Sequence, residues 1–273
     1  MRDNNFIIEN NAKHLWHPMG APRDSINNPP KVITNANGSQ ISDIDGHTTV
    51  DAVGGLWCVN LGYSNEAVKK AISEQLNHLP YYSGFAGTTN PAAIEASFMV
   101  KEMFKADGME KVFFTSGGSD SVETCLRLSR QYHRLRGEPT RTKFISLKKG
   151  YHGTHFGGAS VNGNNRFRIA YEPLLPGCFH LPSPYTYRNP FNETDSQKLA
   201  LNIAQAFEDE IAFQDKNTIA AFIMEPIQGA GGVIVPDPSF MGLMQEICER
   251  NGILMISDEV ITGFGRTGSW SGA

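Results

Sequence analysis

The sequence predicts an α/β protein: a three-layer αβα large domain with a mainly parallel sheet, plus an N-terminal segment of a smaller α/β domain. Two observations lead to the α/β class and the mainly parallel sheet. From about residue 64, short continuously apolar runs alternate with helical patterns, and such runs are typical of strands covered on both faces. Regular helix–strand alternation favours parallel pairing. We expect the N-terminal segment to cover 1–55 and the large domain to cover 56–273, incomplete at its C-terminal end.

The first elements lie in a stretch rich in Asn, Pro and Gly. "KVITNANGSQISDIDG" predicts a hairpin whose turn is Asn37-Gly38. "SNEAVKKAISEQLNHL" has apolar residues at helical spacing, with Ser64 as the expected N-cap. "NPAAIEASFMVKEMFKA" predicts a second helix, with Asn90 as its cap and Pro91 in its first turn.

The remaining elements alternate along the chain. Strands are predicted at 111–115, 143–147, 220–225 and 253–257, and helices at about 119–136, 197–213 and 238–251. The Pro-rich stretch 161–196 is expected to be a long surface excursion. Ligands of open α/β sheets bind beyond the carboxyl ends of the strands. The residues that follow each strand are therefore the candidates for function.

Composition narrows the functional class. The chain of 273 residues is 40% hydrophobic, with a net charge of -4, which indicates a globular protein and argues against a nucleic-acid surface. Its four cysteines are far apart, which favours reduced thiols over a disulfide framework. No apolar run approaches the ~18 residues of a membrane span. We therefore expect a cytoplasmic protein that contacts neither membrane nor nucleic acid.

The first predicted strand leads through "SGGS", residues Ser116 to Ser119, straight into a helix. Bare amides and hydroxyls at a helix N-terminus can hold a phosphate. An ordinary capped helix start is the alternative. No lysine is present here, so the segment lacks the signature of a nucleotide-binding P-loop.

Two further strands end in polar side chains. Tyr151 and His152 follow the second strand in a Gly-flanked turn, where an aromatic ring can lie over a ligand ring, although loop packing is the alternative. A metal at His152 and His155 is not expected, since no third ligand is near. Glu225 ends the third strand, and a buried carboxylate needs a partner, for which a salt bridge within the fold is the alternative.

The fourth strand ends in Asp258-Glu259, within "ILMISDEVITGFGRTG". A protonated ring nitrogen would be a suitable partner for Asp258; the rival interpretation is a metal-holding residue of an ATPase. The chain contains no Gly-Lys dipeptide, so a Walker A lysine is absent. Gly263, Gly265 and Gly268 match a dinucleotide fingerprint, but they are interpreted as a tight loop because no helix follows them.

In this order and at these separations, "TSGGSDSVET", "GYHGTHFGG", "MEPIQGAGG" and "SDEVITGFGRTG" resemble the class III (ω) aminotransferases, pyridoxal-phosphate enzymes of fold type I. The resemblance covers nearly the whole chain. It implies pyridoxal 5'-phosphate as cofactor and assigns roles to particular positions. The residues implied for phosphate binding are Ser116, Gly117, Gly118 and Ser119. Tyr151 would stack on the pyridine ring with His152 beside it, and Asp258 would pair with the ring nitrogen. Val260 would lie against the ring face, and Glu225 would help to order the cofactor's surroundings.

The resemblance also implies a substrate site and a partner. Leu56 and Trp57 would line the substrate pocket, although a core aromatic is the alternative for Trp57. Phe85 would reach the site of the partner subunit in a homodimer. The substrates implied are an amine or ω-amino acid and an oxo acid such as pyruvate.

One departure concerns the lysine that forms the family's Schiff base. By resemblance it lies beyond Asp258, but no lysine follows Lys216 in this chain. We therefore expect an N-terminal portion of such an enzyme, truncated and inactive alone. The alternatives are a non-catalytic truncated relative and, less favoured, a nucleotide-binding ATPase.

Overall fold

The computed structural model describes residues 3–273. The chain divides into two compact units, the first ending at Ile94 and the second covering Glu95–Ala273. The expected boundary between residues 55 and 56 concerns the domains of the complete protein and stays a prediction. Within residues 3–273, no helix combines the length and the apolar character needed to cross a lipid bilayer.

The first unit holds a three-stranded antiparallel sheet with the strand order β1-β2-β3. Its elements are α1 (Asn4–His14), α2 (Pro22–Asn27), β1 (Ile33–Asn37), β2 (Gln40–Asp43), β3 (Thr48–Val50), α3 (Gly54–Trp57) and α4 (Glu66–His78). The hairpin is confirmed, but its turn lies one residue later than predicted. Asn37 still pairs with Gln40, so the turn residues are Gly38 and Ser39. Gly38 has a φ of 57°, which glycine adopts without steric cost.

The start of α4 also differs from the prediction by one residue. Asn65, not Ser64, is the N-cap, and its Oδ1 accepts a hydrogen bond from the amide of Ala67 at 3.1 Å. Ser64 instead donates its hydroxyl to the carbonyl oxygen of Ala36 at 2.6 Å. Both residue types cap helices well, so only the path of the chain could decide between them.

The second unit is the α/β part of the chain. It follows α5 (Pro91–Met103), whose predicted cap is confirmed because Asn90 Oδ1 accepts from the Ala93 amide at 3.0 Å. Its elements are α6 (Gly118–Leu135), β4 (Lys143–Leu147), α7 (Phe156–Val161), β5 (Cys178–Leu181), α8 (Ser196–Gln214), β6 (Ile219–Met224), α9 (Phe240–Asn251) and β7 (Leu254–Ser257). The strands form a four-stranded sheet in the order β5-β4-β6-β7, and every pair is parallel.

Buried side chains on both faces of this sheet make the predicted three layers. Residues of β4 and β6 alternate between two hydrophobic clusters, as the period of a strand requires. Ile145 and Phe222 pack with side chains of α8 and α9 on one face. Phe144 and Ile223 pack with side chains of α6 and α7 on the other. The α/β class is confirmed, and the helices and strands agree with the prediction within one or two residues at 143–147, 197–213, 220–225, 238–251 and 253–257.

Two predictions in this unit are wrong. The segment 111–115 forms no strand in the described chain, and Phe113 is 71% exposed. A strand exists only through hydrogen bonds to a neighbour, and none of the strands within residues 3–273 pairs with it. The excursion 161–196 contains β5, which pairs with β4 along Cys178–Leu181. Its four residues are too few to show a periodic pattern among the surrounding prolines.

Candidate cofactor site

The candidate site lies where the carboxyl ends of three neighbouring strands meet. Met224 at the end of β6 pairs with Ser257 at the end of β7, and β4 pairs with β6 on its other side. Neighbouring strands lie about 4.8 Å apart. The side chains that follow these strand ends, those of His152, Glu225 and Asp258, therefore share one edge of the sheet, as the sequence predicts.

Asp258 is hydrogen-bonded to a buried histidine. Its Oδ2 lies 2.9 Å from Nδ1 of His152, and its Oδ1 accepts from the amide of Val260 at 3.2 Å. An ionised carboxylate only accepts, so Nδ1 carries the proton. The side chain of Asn162 fixes the turn, since it accepts from the His152 amide at 2.5 Å and donates to the Gly153 carbonyl at 2.8 Å.

His152 is 1% exposed, and its second ring nitrogen is unusual. Within residues 3–273, Nε2 is buried and has no hydrogen-bond partner. Buried polar atoms are paired in the great majority of native sites, so an unpaired one calls for an explanation. The loop around His152 is close-packed: a side chain at Gly158 would meet the His152 carbonyl oxygen at 2.5 Å. The backbone of His152 is therefore tightly placed, and the hydrogen bond from Nδ1 to Oδ2 of Asp258 orients its ring.

Glu225 is the second buried acid at this edge and is 6% exposed. In the described part of the chain it forms no salt bridge, which removes that alternative, and its Oε2 has no hydrogen-bond partner. Burial raises the pKa of this carboxyl group to about 8, and the negative charge of Asp258 adds to the rise. Hydrogen bonding from the backbone amides of Tyr151 and Gly229 opposes the rise without cancelling it.

The start of α6 lies beside these residues. A side chain at Gly118 would meet Cγ2 of Val260 at 3.0 Å, and Oγ of Ser119 accepts from the amide of Thr154 at 3.0 Å. The helix start, the loop of Tyr151 and the segment after Asp258 thus line one crevice. Three motifs follow strands, as predicted, and the fourth follows segment 111–115, which has no regular secondary structure.

The N-terminus of α6 presents free donors. Within residues 3–273, the amides of Gly117, Gly118 and Ser119 donate no hydrogen bond. Ser116 is engaged, because both its amide and its hydroxyl donate to Oδ2 of Asp120 at 3.1 Å. These bonds hold the pKa of the Asp120 carboxyl below its usual value. Three open amides at the start of an 18-residue helix can bind an anion.

Tyr151 packs edge-to-face against Phe167, with ring centroids 4.7 Å apart and the planes at 64°. Burial raises the pKa of the Tyr151 hydroxyl, and Asp258 contributes to the rise. Stacking of Tyr151 on a ligand ring stays a prediction. Phe167, Asn162 and Thr154 belong to this site, but the sequence analysis missed them, because each lies in a loop whose path only the fold determines.

Glu259 supports the loop that follows rather than the crevice. Its Oε2 accepts from the hydroxyl of Thr262 at 2.6 Å and the amide of Gly272 at 2.8 Å. Gly265 and Gly268 have φ values of 95° and 96°, a conformation that favours glycine. The interpretation of "TGFGRTG" as a tight loop is confirmed.

The predicted substrate residues lie in the first unit. Gly54, Gly55, Leu56 and Trp57 all have positive φ, so they form a left-handed turn. The carboxylate of Asp51 holds this turn by accepting from the amide of Gly55 at 2.7 Å. Leu56 is 71% exposed and Trp57 is half-buried, so Trp57 is not a core aromatic. The substrate roles of Leu56 and Trp57 stay predictions.

The other predicted residue of this unit is Phe85, which is 96% exposed. Its neighbours form no regular secondary structure. Its predicted role toward a partner subunit stays a prediction.

Comparison with known families decides between the remaining interpretations of this site. The model of the family described as aminotransferase class-III matches residues 22–273. The chain belongs to the class III aminotransferases. This family is pyridoxal-phosphate-dependent, and the resemblance stated from the four motifs is confirmed.

Two curated class III relatives are similar along most of this chain. The putrescine–pyruvate aminotransferase of Pseudomonas aeruginosa is 38% identical over 243 residues, which cover 89% of this chain and 53% of that protein. The omega-aminotransferase of Caulobacter vibrioides is 34% identical over 262 residues, which cover 95% of this chain and 58% of that protein. The chain thus spans little more than half the length of the relatives that it matches.

Solved class III structures share the fold closely. An amine transaminase from an uncultivated Pseudomonas species, in its PLP-bound form, has a TM-score of 0.92 and 46% identity over 95% of this chain and 58% of that chain. An (S)-enantioselective omega-transaminase from Thermomicrobium roseum has a TM-score of 0.95 and 33% identity, covering 100% of this chain and 60% of that one. The predicted fold type I architecture is confirmed.

Proposed function

We propose that this chain provides most of the binding site for pyridoxal 5'-phosphate in a transaminase that moves an amino group from an amine or ω-amino acid to pyruvate or another oxo acid. The observation that carries the proposal is the buried pair of Asp258 and His152 beside the open amides of α6. Relatives named putrescine–pyruvate and omega-aminotransferase support the substrate classes.

The residues of the crevice fit this cofactor in charge and in shape. Its phosphate carries negative charge, which the free amides of Gly117, Gly118 and Ser119 and the helix dipole favour. His152 supplies Asp258 with a hydrogen bond, and the carboxylate can accept further ones. A protonated pyridine nitrogen would give Asp258 both a donor and a positive charge. When bound, the cofactor supplies an aromatic ring that takes up electrons from a substrate carbon.

The chain's own residues would bind and orient the cofactor. Asp258 keeps a proton on the ring nitrogen, and His152 fixes the carboxylate through its Nδ1 at 2.9 Å. Val260 lies against Gly118 at the start of α6, and its side chain would contact one face of the ring. Tyr151 would cover the other face.

Residue roles, compartment and assembly belong to the same proposal. By family resemblance Leu56 and Trp57 contact substrate, Phe85 contacts a partner subunit of a homodimer, and the protein is cytoplasmic. No lysine follows Lys216, so the Schiff-base lysine of the family has no counterpart in this chain. We therefore expect no turnover of amine and pyruvate by residues 1–273 alone, and measured turnover would contradict this.

Binding of pyridoxamine 5'-phosphate to the purified chain tests the proposed function. This probe has no aldehyde, so it cannot react with unrelated lysines. We expect saturable one-site binding by calorimetry, and Asp258→Asn should weaken it about tenfold, as for one charge-assisted hydrogen bond. Asp107→Asn, an exposed acid of the same unit, should bind normally.

Two further probes define the outcome. Pyridoxamine without phosphate should bind more weakly, because it cannot use the amides of α6. ATP should not compete. Competition by ATP without any binding of pyridoxamine 5'-phosphate would favour a nucleotide site and overturn the proposal.

A further inference from the structure

Glu225 and Asp258 are two acids at neighbouring strand ends, yet they differ in their partners. They follow the paired residues Met224 and Ser257, and the Asp258 amide donates to the Met224 carbonyl at 2.8 Å. Asp258 is paired with His152. Glu225 has no cation beside it in residues 3–273, and its Oε2 is buried without a hydrogen-bond partner.

The groups around Glu225 offer no positive charge. The negative charge of Asp258, which follows β7, lies near the Glu225 carboxyl group. Two backbone amides donate to this carboxyl group, that of Tyr151 in the loop after β4 and that of Gly229 in the loop after β6. Lys149, in the loop after β4, directs its ammonium over the ring of Tyr185 at 4.7 Å. An ionised carboxylate without a counterion is strongly disfavoured in a buried site.

We propose that Glu225 is an uncharged carboxylic acid at neutral pH, and that its unpaired Oε2 donates a hydrogen bond to the oxygen substituent on the ring of the heterocycle bound at Asp258. The proposal rests on the proposed function for the identity of the ligand, but not for the charge state of Glu225.

A neutral Glu225 has two consequences for ligand selection. The pair of acids carries one negative charge rather than two, which matches the single positive charge of one protonated ring. The pair also presents a hydrogen-bond acceptor, the Asp258 carboxylate, next to a hydrogen-bond donor, the Glu225 carboxylic acid. A heterocycle with a ring N–H and a nearby acceptor oxygen satisfies both, and 3-hydroxypyridines such as pyridoxamine phosphate have this pattern.

The charge state can be measured without any ligand. Infrared spectra of the purified chain should show the carbonyl band of a protonated carboxylic acid at neutral pH. The band should disappear as the pH rises above about 8, and it should be missing from Glu225→Gln. Glu246→Gln, an exposed acid of α9, should leave the band unchanged. If the folded chain lacks the band at neutral pH, Glu225 is ionised and the proposal is wrong.

The hydrogen bond is tested with a matched pair of ligands. Pyridoxamine 5'-phosphate should bind the chain about tenfold more tightly than its 3-deoxy analogue, the value of one buried hydrogen bond. Glu225→Gln keeps a donor and should preserve this ratio. Glu225→Ala has none, and its ratio should fall close to unity.

The outcomes separate the two proposals. An unchanged ratio in Glu225→Ala, with pyridoxamine 5'-phosphate still bound, would overturn the donor role and leave the proposed function intact. If neither ligand binds any variant, the proposed function and the donor role both fail, while the infrared titration still decides the charge state. Circular dichroism of each variant confirms that it is folded.

Discussion

The buried polar groups at the two ends of the four-stranded sheet differ in how far they are paired within the fold. At the amino ends, Arg141 is 5% exposed and its guanidinium is paired. Its Nε makes no hydrogen bond within residues 3–273 but lies 3.4 Å from Oε1 of Glu138 in an ion pair. Its Nη1 donates to the carbonyl oxygens of Lys216 and Ile219 at 2.8 and 3.0 Å, and its Nη2 donates to that of Asn251 at 3.3 Å. At the carboxyl ends, buried atoms of His152 and Glu225 have no hydrogen-bond partner within residues 3–273.

A cleft of about 220 Å³ lies at the amino end, lined in part by His133, Glu138 and Leu254. Its ionisable groups already serve the fold, since His133 Nε2 lies 2.9 Å from the Ala220 carbonyl oxygen and its Nδ1 lies 3.3 Å from Glu138. Size alone therefore does not identify the ligand site. Polar groups that satisfy one another stabilise the protein, whereas polar groups left open are available to a ligand at some cost in stability.

The largest expected effect belongs to the amino end. Arg141→Ala should lower the free energy of unfolding by about 3–5 kcal/mol, because three buried carbonyl oxygens lose their donor. Urea unfolding followed by circular dichroism measures it. Arg134→Ala, an exposed residue of the same helix–loop region, should change stability by no more than about 0.5 kcal/mol. A loss of less than about 1 kcal/mol in Arg141→Ala would remove the contrast between the two ends.

A second effect is expected at the carboxyl end, as a dependence of the unfolding free energy on pH. Burial raises the pKa of Glu225 from 4.5 to about 8, so the folded chain binds more protons than the unfolded chain between these values. The stabilisation is therefore complete below pH 4.5 and is lost as the pH rises through about 8. Unfolding free energies of the wild type should fall relative to Glu225→Gln over this window, by up to about 1.4 kcal/mol per pH unit. Parallel pH profiles for the two proteins would contradict the prediction.

The smallest effect on stability is expected at the start of α6. Ser116→Ala removes an exposed hydroxyl that donates to Asp120, and should change the free energy of unfolding by no more than about 0.5 kcal/mol. Binding of pyridoxamine 5'-phosphate should nevertheless weaken by a few-fold, since the Ser116 hydroxyl would turn from Asp120 to the bound phosphate and the variant lacks this donor. If Ser116→Ala lowers the free energy of unfolding but binds pyridoxamine 5'-phosphate normally, the role of Ser116 is structural, like that of Arg141.

Sequence reasoning succeeded where the signal is local. The buried strands β4, β6 and β7 were recognised because continuous apolar runs of this length have few alternatives, and the motifs after them led to the family. It failed at 111–115, whose apolar residues resemble those of β6 but lack a strand to pair with in the described chain. It also missed β5 and the roles of Asn162 and Phe167, because these depend on contacts between distant loops.

By itself, the sequence determined which side chains end the strands: Glu225 and Asp258 follow runs too apolar to be anything but interior. It also determined that helix α6 begins with small residues, which leave its amides accessible. Only the tertiary structure decided which acid has a side-chain partner. That outcome depends on where His152 lies, and parallel pairing across β4, β6 and β7 brings its ring nitrogen to 2.9 Å from Asp258 while Glu225 has none. Charge in a buried site depends on neighbours across the fold, and neighbours along the chain do not reveal them.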